Sequence, residues 1–153
     1  MFFSRWKTTV LLLLLLVPLA LTASPVTFDN IHGRWKLLYR GPYGYEFRFY
    51  RNYRATCILY LKTNALVFKG VYTFEEDHTL RINLYEMKNE KRVYHVNTRS
   101  GFTKIKSSHF TFNTEMEGSG KNKRLVLKPG SIVIDGNTCD GYFEPRIELK
   151  KQR

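Results

Sequence analysis

GRWKLLYRGPYGYEFRFYRNYRATCILYLK, residues 33–62, reads as three short strands separated by two turns. In its middle, Tyr45, Phe47 and Phe49 alternate with Glu46, Arg48 and Tyr50. A period of two puts the first three rings on one face of a strand. GRWKLLYR (33–40) precedes this run and RATCILYLK (54–62) follows it.

The pattern continues along the chain. In LVFKGVYTF (66–74), Leu66, Phe68, Tyr72 and Phe74 share a face, and in LRINLYEM (80–87) Leu80, Ile82 and Leu84 do. RVYHVNT (92–98), FTKIK (102–106), HFTFNT (109–114), RLVLK (124–128), SIVID (131–135) and GYFE (141–144) complete the series. Turn-forming stretches such as KTNA, EGSGKN, KPG and DGN lie between them. Runs at this spacing predict an antiparallel sandwich or barrel. No segment after residue 24 keeps helical periodicity over ten residues. Several strands are apolar on both faces: Tyr60 stands beside Leu59 and Leu61, and Tyr85 beside Leu84. The predicted fold is all-β, a single antiparallel up-and-down β-barrel of about eight strands, which is wide enough to hold one small ligand. The alternative is that the rings simply fill the core.

The first residues, MFFSRWKTTVLLLLLLVPLALTAS, combine Arg5 and Lys7, an apolar run from Val10 to Leu21, and small residues at Ala20, Thr22 and Ala23. This order predicts a signal peptide over 1–23 and a secreted, extracellular domain over 24–153. The apolar run is short for a membrane span, which needs roughly 20 residues, so no transmembrane segment is expected in the mature chain. Lys and Arg total 25 against 13 Asp and Glu. Without Arg5 and Lys7 the balance is 23 against 13, or +10. Such a charge favours anionic partners.

Two cysteines, Cys57 and Cys139, are present. In an oxidising compartment they are expected to pair. The loop of about 80 residues so closed would contribute roughly 4 kcal/mol by chain entropy.

The opening TFDNIHGRWKLLYR (27–40) sets Phe28-Asp29 before Gly33-Arg34-Trp35 at the start of the first strand. It resembles the signature of the lipocalin family, in which a Gly-x-Trp begins the first strand and an acidic or amide residue lies just upstream. Ile31 and Leu38 fit its apolar positions; Lys36 departs from the aromatic or Leu that usually follows the tryptophan. The resemblance implies that Trp35 plugs the closed end of the barrel, that Gly33 lets backbone pass close there, and that an arginine lies over the indole as a cation–π partner. Arg146 and Arg124 are the two candidates. The stretch after Cys139 is short for the helix that usually follows a lipocalin barrel. LLYRGPYGY and the cysteine placement are also similar to salivary lipocalins of blood-feeding ticks, which sequester histamine, leukotrienes and other host mediators.

The resemblance implies a binding protein that sequesters or carries a small hydrophobic or amphipathic ligand: a fatty acid, an eicosanoid or a biogenic amine. The expected wall is Phe47, Phe49, Tyr60, Phe68, Tyr72, Leu84 and Tyr94. Arg48 or Arg81, if inward, would favour a carboxylate, and Glu46, Asp77 and Glu86 are the acids available to an amine. The second reading is an interaction protein whose basic outside binds acidic glycans. Lys121, Lys123, Arg124 and Lys128 are one cluster for it. Arg40, Arg48, Arg51 and Arg54, interleaved with Tyr43, Tyr45, Tyr50 and Tyr53, resemble a stacking groove for single strands. Secretion argues against nucleic acid.

No enzyme, cofactor or metal is expected. His32, His78, His95 and His109 have no metal-ligand spacing, no Gly-x-Ser-x-Gly elbow occurs, and bridged cysteines would leave no thiol nucleophile. Glu75, Glu76 and Asp77 read as solvated turn charges.

Overall fold

The computed structural model describes residues 23–91 and 101–153. Residues 1–22, which hold nearly all of the signal peptide expected over 1–23, and the run at 92–98 with Tyr94 and His95, lie outside the described residues.

The alternating runs form β1 (Gly33–Leu38), β2 (Gly44–Phe49), β3 (Arg54–Tyr60), β4 (Asn64–Glu75) and β5 (Thr79–Lys91). These pair in chain order, each antiparallel to the next. The two runs expected at 102–106 and 109–114 are a single strand, β6 (Thr103–Glu117). Those expected at 124–128 and 131–135 are likewise one strand, β7 (Arg124–Ile134). Pro129 cannot donate to a ladder, and it sits where the β6–β7 register slips between Phe110 and Phe112, so the strand continues through it. A two-residue β8 (Asn137–Thr138) folds back on β7.

GYFE is not a strand. Residues 139–146 are irregular, and the chain resumes as β9 (Ile147–Lys151). β9 lies between β1 and β7 and pairs antiparallel with both. With β6 paired to β7, the sheet closes on itself as an eight-stranded antiparallel barrel.

The inside follows the period-two reading. Phe47, Phe49, Phe68, Tyr72, Leu80, Ile82 and Leu84 are all buried in one core with Phe110, Phe112, Leu125, Leu127 and Leu149. Gly70 occupies an inward site at the β4–β5 register shift, where an added Cβ would lie 2.6 Å from the Asn83 carbonyl oxygen. Only glycine lets the strands approach so closely there.

A second, smaller cluster lies apart from this core. Ile58, Ala65 and Val67 are buried together, with Tyr60 and Phe102 packed against them. The Lys69 ammonium stands 3.7 Å from the Phe102 ring centroid and that of Lys88 5.1 Å away. Cations over a ring keep this apolar patch covered.

Candidate functional site

The loops sort to two ends. The closed end is built around Trp35, which is fully buried. Its indole N–H donates to the Ile31 carbonyl oxygen at 2.6 Å. Ile31 belongs to α1 (Phe28–Ile31), a single turn fastened by the Thr27 N–H donating to Asn30 Oδ1 at 2.8 Å. Phe28 of that turn stacks on Tyr53, with ring centroids 4.5 Å apart, and so covers the floor. Gly33 has φ +119°, a value that L side chains rarely adopt.

The cation over the indole is Lys151, its Nζ 5.3 Å from the ring centroid. The expected arginines are engaged elsewhere. Arg146 bridges Glu117 and Glu148 at 2.8 and 2.9 Å, and Arg124 bridges Glu148 at 3.0 Å. β9 meets β1 with Lys151 opposite Trp35, so register decides which cation reaches the ring.

At the other end the β1–β2 and β3–β4 loops meet the irregular segment 139–146. Phe143 of that segment packs into the barrel, 5.2 Å from both the Phe110 and Phe112 centroids, 5.6 Å from Tyr45 and 6.1 Å from Phe47. The edge-to-face geometry with Phe110 and Phe112 is the favoured one for aromatic pairs. A cleft of about 380 Å³ opens beside it, lined by Tyr39, Tyr43, Tyr45, Leu59, Tyr142 and Glu144, among others. The segment is tied to the rim by the Tyr39 hydroxyl donating to Glu144 and by the Glu144 N–H donating to Tyr45 Oη at 3.3 Å. At its start the Cys139 N–H donates to the Ile132 carbonyl oxygen at 2.9 Å.

Of the expected wall, Phe47, Phe49, Phe68, Tyr72 and Leu84 point inward and touch one core. Tyr60 does not. Leu59 takes the inward position, and the Tyr60 hydroxyl donates to Glu46 Oε2 at 2.6 Å on the outer wall. Arg48 and Arg81 do not reach the interior either. Arg48 bonds Glu46 at 2.6 Å, and Arg81 bonds Asn83 Oδ1 at 3.0 Å and Glu75 at 3.6 Å. No carboxylate grip inside the barrel comes from them.

Glu46 is fully buried beneath a cage of cations. Arg34 reaches it in two hydrogen bonds of 2.6 and 3.1 Å, Arg48 in one, and Lys36 stands 3.6 Å away. Burial alone would push this carboxyl up, but hydrogen bonds from Arg34, Tyr60 and Arg48 outweigh it and hold it at about 2. Burial and the bond to Glu46 push the Tyr60 phenol up to about 12. The sequence reading missed this cage. One acid flanked by cations at alternate positions of a predicted hairpin was the available signal. Glu86 pairs with Lys69 at 3.6 Å and is no inward acid, and the backbone at Asp77 forms part of the 3-10 turn Glu76–His78.

The expected Cys57–Cys139 bridge is not formed; both cysteines are thiols. Cys57 is sealed inside β3, and burial pushes its thiol far up. Cys139 Sγ is turned to the Asn137 carbonyl oxygen at 3.4 Å. Among the described residues, no group of three or more His, Cys, Asp or Glu could hold a metal. Also among them, no helix is long and apolar enough to cross a membrane.

The chain matches no known family, no curated protein and no solved structure. The barrel is compatible with a calycin-type fold on its geometry alone.

Proposed function

We propose that this protein binds a small, flat, apolar or amphipathic molecule at the loop-rich end of the barrel, with Phe143 yielding its place to the ligand. The observation that carries this reading is the position of Phe143. An aromatic ring on an irregular, lightly tethered segment occupies a pocket of four rings, beside an aromatic cleft. A ligand ring entering there exchanges one set of edge-to-face contacts for an equivalent set. Burial of its remaining apolar surface then adds about 25 cal/mol per Å². The rim supplies the orienting polar groups, the hydroxyls of Tyr39 and Tyr45 and the Glu144 carboxylate.

The signal-peptide pattern expected over residues 1–23 supports a binder that acts outside the cell, as a scavenger or carrier. It is read as a binder and not an enzyme. The buried carboxylate Glu46 is neutralised on the outer wall, and the buried Ser108 and Thr114 hydroxyls donate to backbone carbonyls. With neither Arg48 nor Arg81 inside, a neutral or weakly polar ligand fits better than a fatty-acid carboxylate.

The test is native mass spectrometry of the protein purified from its secreting host, followed by titration with a neutral solvatochromic dye. A co-purified small molecule, released on organic extraction and competing with the dye, is the expected result. Dye binding that is absent, or unaffected when Phe143→Trp overfills the pocket, would remove the proposal.

A further inference from the structure

The closed end of the barrel carries a second concavity, far along the strands from Phe143. The β6–β7 turn and β9 enclose a cleft of about 510 Å³ lined by Ser119, Lys121, Asn122, Lys123, Arg124 and Lys150. Its charge is sorted by the carboxylates around it. Glu117 and Glu148 are taken up by Arg146 and Arg124, and Glu115 by Lys128 at 2.9 Å. Lys128 therefore leaves the basic cluster read from the sequence, and Lys150 joins it. Lys121, Lys123 and Lys150 have no carboxylate within 4 Å among the described residues, nor do the side chains of Ser119 and Asn122 have hydrogen-bond partners there. Three unneutralised ammonium groups on one concave surface repel one another, and an anion between them relieves that repulsion.

The lining also says which anion. No aromatic ring lines the cleft, so bases have nothing to stack on, which disfavours single-stranded nucleic acid. No apolar wall is present for an acyl chain. Separated ammonium point charges with a hydroxyl and an amide between them suit separated anionic groups on a hydroxyl-rich scaffold. We propose that this cleft binds a sulfated oligosaccharide, with Lys121, Lys123 and Lys150 on the sulfates and Ser119 and Asn122 on the sugar hydroxyls. This site is independent of the proposed binding at the opposite end.

The experiment is calorimetric titration of the full secreted protein with a heparin-derived hexasaccharide in moderate salt. Three proteins are compared: wild type, the triple variant Lys121→Ala/Lys123→Ala/Lys150→Ala, and a control of equal charge, Lys62→Ala/Lys104→Ala/Lys106→Ala, whose lysines are exposed elsewhere. The expected result is at least a tenfold loss in the cleft variant, under threefold in the control, and dye binding unchanged in the cleft variant. Equal losses in the two triples would show bulk charge attraction and overturn the site. Equal binding of the desulfated hexasaccharide, or equally effective competition by a single-stranded oligonucleotide of the same charge, would overturn the ligand class. Circular dichroism spectra and melting curves confirm that each variant is folded.

Discussion

Phe143 stands edge-on to Phe112, ring centroids 5.2 Å apart and planes at 82°, although one ring belongs to an irregular segment and the other to a barrel strand. Truncating Phe143→Ala leaves a hole among four rings. Core Phe→Ala changes cost about 3–5 kcal/mol, and the lower end applies here because the tethering segment can collapse. Binding should move the other way. The neutral dye is expected to bind at least fivefold more tightly to Phe143→Ala, because it no longer displaces a ring. Urea titration and dye titration of the same variant check both halves, and weaker dye binding would contradict the pocket assignment.

Lys151 over Trp35 is a partly solvated cation–π contact, of about 0.5–1 kcal/mol. Lys151→Met should therefore lower stability by no more than about 1 kcal/mol. Gly33→Ala should cost more. Its φ lies in a region that is costly for alanine, by about 1–3 kcal/mol. The added methyl would also lie 3.0 Å from Lys151 Cε and push that side chain off the ring. Chemical denaturation that ranks the two variants in the reverse order would contradict this account of the floor.

Glu46 gives the fold an acid limit. Its carboxyl is held at about 2 in the fold, against about 4.3 for a free glutamate in the unfolded chain. The unfolded state thus binds the proton first. The contribution of Glu46 is complete above about pH 5 and disappears as pH falls toward 2. Glu46→Gln should flatten the stability profile in that window and lower stability at neutral pH by about 2–3 kcal/mol. That is below the 3–5 kcal/mol of a fully buried pair, because Arg34 and Arg48 remain partly exposed. Equilibrium denaturation at a series of pH values checks it. An unchanged acid slope in the variant would assign that slope to other carboxylates.

The two thiols should differ in reactivity. Cys57 is fully buried and its thiol is pushed far up, so little thiolate is present at neutral pH. Cys139 is only partly covered. Under native conditions an alkylating reagent should modify Cys139 at least tenfold faster, and the difference should vanish in denaturant. Peptide mass mapping reads both sites. A crosslinked 57–139 peptide in freshly purified protein would contradict the free-thiol arrangement.

The barrel was legible because alternation survives wherever one face is clearly polar. Tyr45, Phe47 and Phe49 against Glu46 and Arg48 is such a strand, and its inward face is as read. β3 is not. Ile58 and Tyr60 on its outer side are as apolar as Cys57 and Leu59 inside, because the satellite cluster covers them. With both faces apolar the phase has no anchor, and the sequence reading chose Tyr60 over Leu59. Phe143 was invisible for another reason. It stands in GYFE, whose short alternation imitates a strand, and nothing local reveals that the segment turns inward. The partner of Trp35 depends on the β1–β9 register, a contact between residues distant in the chain. Periodicity within each strand fixes neither.

The place of β9 between β1 and β7 has a kinetic meaning. A nascent chain that has emerged only as far as residue 146 holds β1 through β8 but has no strand to join its two edges. Until Ile147–Lys151 is available, β1 and β7 each present open backbone groups, the arrangement that invites wrong partners. Completion links residues at opposite extremes of the described sequence, a non-local pairing of the kind that raises contact order and slows folding.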